Sequence, residues 1–399
     1  MSAILYQNTR GEAHRRHSYS AGLEFDRCPY SYYLKRVQGW KPRDDKAAFK
    51  FGRAIEEAIQ HHHDNLGEGA VAKFIDLWAR HKDENLQFTK TEKDWETLNK
   101  SGIELIKLYS IKQPSLPIPL GGASVFQREY SKTLFEGDPK FGELEFMGKI
   151  DVISYVAPDH PMLTKVQWKA EYGPMRTVLT DIKTSALDFP ERPGLAAYDK
   201  QLRVYSWLTG IRDCGLLWLK KCGHTLSKGS SVTLLEDIGD RRAGDEAVVA
   251  QITEDGVWLV HNDFMLEEMI KAQGRKEDGS IDQTKAAKER KAQWLRQNGL
   301  LVQEGQLTRQ RLQYNCGLIS LDSANDAGLI AADQVTRIVH AWETKRWPQT
   351  FGVRFPANDI NDPYFRAFVL NDEAYRKENF RQSDQDEFDD LFDEPEDDI

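Results

Sequence analysis

Between residues 20 and 111 apolar positions recur every three to four residues, the spacing of one buried helical face. This predicts about four helices, among them 44–63, 70–81 and 93–112. Pro114, Pro117 and Pro119 end that block, because proline cannot donate within a helix. The pattern then shifts to short β-branched runs, which predict strands near 123–135, 143–156, 163–170 and 176–184, with a turn at Gly137-Asp138-Pro139. A helix over 195–210 leads to a strand at 214–221. In that helix Leu195, Tyr198, Leu202 and Leu208 form the expected buried stripe. Residues 229–260 suggest further strands, and 261–345 a largely helical stretch with a polar interruption near 274–282. The chain carries no internal repeat.

A helical block followed by strands and further helices reads as an α/β architecture: a central mixed β-sheet flanked by helices. An N-terminal helical region precedes it and a largely helical C-terminal extension follows. The expected divisions are a loose, polar and basic N-terminus over 1–17 and a core domain over 18–260, with a helical insertion at about 44–113. An extension over 261–382 and a disordered acidic tail over 383–399 complete the chain.

Three short segments carry candidate chemistry. In Gly148-Lys149-Ile150-Asp151 a carboxylate interrupts an apolar run that continues with Val152 and Ile153. Burying a charge in a half-buried strand is costly unless it is paired or bound to a cation; the alternative is a turn residue at a strand end. In Asp181-Ile182-Lys183 the two charged residues sit two apart, so on a strand they share one face while Ile182 takes the other. The alternative is an exposed edge-strand ion pair, which stabilises little. Gln201 and Tyr205 are four apart and share a helix face, or else form the polar edge of an amphipathic helix. The order matters more than any one segment: carboxylate on a strand, carboxylate and lysine on the next, then Gln and Tyr on a helix.

These residues in this order resemble the PD-(D/E)XK nuclease superfamily, in its RecB-like exonuclease branch. Ser20, Leu23, Phe25, Cys28-Pro29-Tyr30, Tyr32, Tyr33 and Leu34 are similar to the first helix of that branch. Phe51-Gly52 with Glu56 resembles its Gly-x-x-x-His/Glu motif, and the matched blocks span roughly 18–220. The resemblance implies a restriction-endonuclease-like core and metal-dependent hydrolysis of DNA, with Mg2+ or Mn2+ as cofactor. Glu56, Asp151, Asp181 and the backbone carbonyl of Ile182 are the implied metal ligands. Asp151, Asp181, Lys183, Gln201 and Tyr205 are the implied catalytic set, with Lys183 orienting water or neutralising developing charge. Glu56 stands where many relatives carry His, and its alternative is a solvated helix glutamate with Glu57 beside it. Glu129 is left outside the site. Exonuclease action in recombination, repair or phage DNA processing is the expected role. The rivals are a catalytically silent DNA-binding or adaptor protein with the same fold, and a structure-specific endonuclease.

Composition narrows this further. The chain of 399 residues has no apolar stretch approaching a membrane span and no signal-peptide pattern. Four cysteines argue against a disulfide framework and fit a cytoplasm, bacterial or that of a phage host. Some RecB-like nucleases hold an iron–sulfur cluster on an early cysteine and three late ones. Cys28 matches the early position, but Cys214, Cys222 and Cys316 form no late group, so no cluster is expected and Cys28 reads as a core residue. The net charge of −9 is concentrated: residues 384–399 hold ten acidic side chains and no basic one, leaving the body near neutral. A body of that kind can still bind DNA through a local basic surface. The basic run at 271–296, including Arg275, Lys285, Lys288 and Arg290, is a candidate, or an ordinary solvated helix face.

Trp294 and Tyr314 are expected in the core rather than stacking on bases, and His61-His62-His63 as a solvated helix end. No Walker A motif is present, because Gly142 to Lys149 has the wrong spacing and is followed by Ile150. The acidic tail, with Phe388, Leu391 and Phe392, is a solubilising end, a docking peptide for a partner, or an occupant of the protein's own DNA groove. Expected partners are DNA and a recombination or single-strand-binding protein, with no membrane.

Overall fold

The β-branched runs assemble into one mixed sheet whose strands come from both ends of the chain. In chain order the first elements are β1 (Arg16–Ser18), α1 (Tyr19–Arg27), α2 (Ala47–Asp64), α3 (Ala70–Ala79) and α4 (Trp95–Lys112). They are followed by β2 (Ser124–Thr133), β3 (Glu145–Val156), β4 (Arg176–Ser185), α5 (Lys200–Thr209) and β5 (Asp213–Lys220). A small sheet with two helices comes next: β6 (Ser231–Leu234), β7 (Glu246–Thr253), β8 (Gly256–Val260), α6 (Asp263–Gln273), α7 (Lys285–Asn298), β9 (Leu300–Val302) and β10 (Leu307–Thr308). The chain then returns through β11 (Arg311–Leu318) to α8 (Leu321–Thr344). This computed structural model describes residues 2–8, 10–65, 67–89, 94–112, 124–156, 176–187, 192, 194–350 and 362–382. The strand expected at 163–170 and the acidic tail at 383–399 lie outside the described residues.

The central sheet runs β11-β5-β4-β3-β1, with β2 also paired to β3. β4 and β5 are parallel, while β3 with β4 and β5 with β11 are antiparallel. β2 occupies one edge of β3 along nearly its whole length, from Glu145 to Ser154. β1 and β4 must therefore share the other edge. β1 takes Glu145 to Met147 and β4 takes Val152 to Val156, which leaves a gap in the pairing at residues 148–151. A mixed sheet flanked by helices is thus the fold, as the sequence leads one to expect.

Each face of the sheet is covered. Phe51 and Ile55 of α2, Phe74 and Trp78 of α3, and Leu105 of α4 pack with Val152, Ile182 and Leu217 on one side. Leu202 and Tyr205 of α5 and Ala324 of α8 pack with Ile150, Leu179 and Leu216 on the other. Burying a large apolar side chain contributes about 1.5–3 kcal/mol, so these two layers hold the sheet in place. A buried ion pair joins the first residues of β4 and β5, with Arg176 Nε donating to Asp213 Oδ2 at 3.0 Å.

Residues 261–382 are largely helical, and they also hold β9, β10 and β11. β11 matters most, because Leu318 to Arg311 pair with Asp213 to Lys220 and widen the central sheet. Residues 221–310 are thus an excursion between two neighbouring strands. Its five-stranded sheet, ordered β9-β8-β7-β6-β10, packs one face against Met269 and Ile270 of α6 and Leu295 of α7. Glu104 of α4 fastens this excursion, accepting from Thr308 Oγ1 at 2.6 Å and lying 3.4 Å from His224 Nδ1.

Three expectations need correction. The N-terminus is not loose: Leu5 and Tyr6 are buried with Phe25 and Tyr32, Tyr6–Gln7 pairs with Ala13–His14, and Arg16 to Ser18 form β1. Two apolar residues in a polar stretch were enough to anchor it. His61-His62-His63 is not a solvated helix end, since His62 and His63 are each 4% exposed. His63 Nε2 lies 2.6 Å from Tyr109 Oη, because α4 covers that end of α2. Tyr198 is not part of a buried stripe but 70% exposed. It closes a short 3-10 turn, Leu195–Tyr198, so the helical spacing that placed it inward does not hold there. Trp294 and Tyr314 pack against cores, and Cys28 is buried with Leu34, Tyr364 and Phe380.

Candidate active site

β3 and β4 separate at the candidate site. Their last pair at this end is Val152 with Thr180, and extending the register would set Asp151 opposite Asp181. Beyond that point the N–H of Ile182 has lost its ladder partner. It donates instead to the Asp151 side chain, reaching Oδ2 at 2.8 Å. A carboxylate accepting a backbone N–H is a strong, charge-assisted bond. It fixes the orientation of Asp151, which is only 7% exposed.

Asp181 is fully buried, and Lys183 Nζ lies 3.1 Å from its Oδ2. Residues two apart share a strand face, which brings this pair together. Ile182, between them, enters the opposite core with Phe51 and Ile55. Lys183 Nζ also donates to Gln201 Oε1 at 3.0 Å, and Gln201 Nε2 donates to Tyr205 Oη at 2.8 Å. A continuous chain of contacts thus runs from Asp151 through β4 to α5. It takes in Asp151, Asp181, Ile182, Lys183, Gln201 and Tyr205.

α5 is set against the sheet by several devices. Asp199 caps it, accepting from Leu202 N at 2.9 Å. Asn315 on β11 accepts from Ala196 N at 2.9 Å and holds the turn that leads into the helix. Gly148 on β3 leaves room for α5: a Cβ there would stand 2.8 Å from both Tyr205 Cε1 and Leu208 Cδ1. The glycine of the Gly-Lys-Ile-Asp segment is therefore a packing requirement of the helix that carries Gln201 and Tyr205.

Glu56 reaches the site from the other layer. α2 passes close to β4 at Gly52, where a Cβ would lie 3.5 Å from Thr184 Oγ1. One turn later Glu56 is half-buried and accepts from Gln127 Nε2 at 3.4 Å, while Glu57 is exposed. Gln127 sits on β2 at the register position facing Asp151, between the pairs Phe126–Val152 and Arg128–Ile150. Its φ of 49° is left-handed, which an amide side chain of this length rarely adopts. The layers change over at the same point: Ile150 packs beneath α5, whereas Val152, two residues on, packs beneath α2. Sequence reasoning missed Gln127. A glutamine in a strand gives no sign of a reversed backbone, and only the face change marks it. Glu129 is exposed and lies 4.0 Å from Arg16 Nη1, outside this group.

The donors present suit a hard divalent cation. Asp151 and Asp181 are buried carboxylates with one lysine between them, and Glu56 adds a third negative group nearby. Such an excess of buried negative charge calls for a cation, and an all-oxygen set matches Mg2+ or Mn2+ rather than a soft metal. Among the described residues, no three His, Cys, Asp or Glu side chains are gathered closely enough to ligate one ion. Gln127 links Glu56 to the Asp151 position, through its bond to Glu56 and its place in the register opposite Asp151.

Part of the basic run on α6 and α7 is engaged locally. Its Arg290 donates to the carbonyls of Ala272 and Gln273, and Lys271 pairs with Glu268. Among the described residues no helix is long and apolar enough to cross a membrane.

A model of the PD-(D/E)XK nuclease superfamily matches residues 16–311. No curated protein shows significant similarity to the chain. Among solved structures, the chain is similar to one titled "Crystal structure of SSO0001" at 14% identity and a TM-score of 0.21. That likeness covers 52% of this chain and 63% of the other, so the chain spans less than two thirds of its length.

Proposed function

Because the chain belongs to the PD-(D/E)XK nuclease superfamily, we propose that it is a metal-dependent DNA exonuclease of the RecB-like branch, serving recombination, repair or phage DNA processing. The observation that carries this reading is the pairing of Lys183 with both Asp181 and Gln201 beside the Asp151 carboxylate.

Asp151, Asp181, the Ile182 carbonyl and Glu56 would hold Mg2+ or Mn2+. Such an ion, when bound, supplies Lewis-acid activation of the scissile phosphate. The protein's own groups do the rest. The Asp151 carboxylate is held by the Ile182 N–H, which fixes its orientation. Lys183 is anchored between Asp181 and Gln201, and its positive charge would offset the negative charge that builds on the phosphate. Gln201 is in turn held by Tyr205, so the lysine does not need to be reorganised during reaction. Positioning of this kind is the main protein contribution to phosphoryl transfer.

DNA cleavage by the wild type and by Lys183→Ala, with folding and DNA binding monitored in parallel, tests the proposal. Full activity in a folded variant would sink the assigned role of the lysine.

A further inference from the structure

We propose that Lys228, Lys285, Lys288 and Lys291, on the excursion between β5 and β11, bind the phosphate backbone of duplex DNA outside the active site; the proposal rests on the nuclease reading above, which supplies the ligand. On α7 the last three are spaced by three residues, so each neighbours the next on one side of the helix. Glu289, the one acidic residue of α7, is two residues from Lys291 and therefore on the opposite side. Lys228 sits in a turn fixed to β7, with Gly229 N donating to the Val249 carbonyl at 2.8 Å. Ser227 N donates to Ser230 Oγ at 3.1 Å across the same turn.

Other cations of this region are neutralised: Lys271 pairs with Glu268, Arg275 with Glu267 and Arg290 with Asp282. Among the described residues, the side chains of the four lysines make no ion pair or hydrogen bond. Lys291 is the informative one. It is four residues from each of the two buried residues of α7, Ala287 and Leu295, so it projects on the packing side of the helix. There it is half-buried, and burial first and Lys228 next lower its pKa from the usual lysine value. Two like charges are thus held together by a packed helix and a tied turn, one of them partly out of water. That arrangement costs stability by itself and is relieved by a bound anion.

The kind of nucleic acid follows from what α7 lacks. Single strands are held by rings on which bases stack, but the one aromatic residue of α7, Trp294, packs with the core around Met269 and Leu295. A face of lysines alone reads phosphates, which a duplex presents at the higher charge density. The position of the excursion supports a shared ligand. It leaves β5 at Lys220, two residues beyond Trp218, the register partner of Lys183. The lysines are therefore borne on a unit that emerges from the strand ends next to the catalytic lysine.

The test uses the full chain and a fluorescent duplex of about 20 base pairs, with binding read by anisotropy in EDTA over a range of salt concentrations. Lys228→Gln with Lys288→Gln changes two exposed side chains. Affinity should fall at least about tenfold and the log–log salt slope should shrink by about 1.8, the loss of two phosphate contacts to a duplex. Lys228→Arg with Lys288→Arg should bind as the wild type does. Lys291→Met should also weaken binding, with a melting temperature equal to or above that of the wild type, because a half-buried charge is removed. Unchanged affinity and slope in the Gln pair would overturn the proposal. So would an equal loss in the Arg pair, or tighter binding of oligo(dT) than of the duplex by the wild type. If the wild type cleaves no DNA with Mn2+, the nuclease reading fails, while the anisotropy result still decides the lysine surface.

Discussion

The Asp151 carboxylate accepts the backbone N–H of Ile182 at 2.8 Å, in place of the strand partner that β4 loses at this point. One side chain thereby substitutes for a ladder bond and sets where two strands part. Asp151→Asn keeps the shape and an acceptor but removes the charge. It should leave the melting temperature within a few degrees of wild type while lowering nuclease activity by about 100-fold or more. Thermal melting beside a cleavage assay checks this. Equal activity would show that the Asp151 charge is not used.

Tyr205 holds Gln201, which holds Lys183. Tyr205→Phe removes only the hydroxyl, and its ring keeps its place with Leu202 and Ile150. The loss of one hydrogen bond is worth about 1 kcal/mol, or about fivefold in rate. The expected result is a kcat reduced by roughly that factor with KM little changed. A change in KM alone would place Tyr205 on substrate binding instead.

Gly148→Ala places a methyl group 2.8 Å from Tyr205 and Leu208. Overpacking of this kind costs about 1–3 kcal/mol. Both stability and activity should fall, because α5 must move away from the sheet. Denaturant unfolding measures the first and single-turnover cleavage the second.

His17 on β1 gives the protein an acid sensitivity of its own. Burial lowers its pKa from 6.5 to about 4. Its neutral form is therefore favoured by folding, and protonation favours the unfolded chain. The stability it contributes is fully present above pH 6.5 and is lost as pH falls from there toward 4. The loss across that window is about 3 kcal/mol. His17→Phe should flatten the melting temperature between those limits. A slope unchanged from wild type would assign the acid sensitivity to other groups.

Much of this was legible beforehand, for identifiable reasons. Asp151, Asp181 and Lys183 announced themselves because charges in β-branched runs break a simple pattern, and Gln201 and Tyr205 fell at helical spacing. The helices that cover the sheet were visible in apolar periodicity, although their ends moved by a few residues. Tertiary contacts hid the rest. His62 and His63 read as polar, yet a neighbouring helix buries them. β11 was lost in a region dominated by helical spacing, since its place in the sheet depends on pairing with a strand about 100 residues earlier. Gln127 has no local signal at all, because its backbone is set by the change of face at Asp151.

The most direct test of the central claim is cleavage of end-labelled linear DNA and closed-circular DNA, single- and double-stranded, by the wild type and Asp181→Ala, with Mn2+ or with EDTA. A metal-dependent exonuclease at this site degrades linear DNA only with Mn2+, spares circles, and loses that activity in Asp181→Ala. Cleavage that persists in EDTA, or in a folded Asp181→Ala protein, would contradict the account.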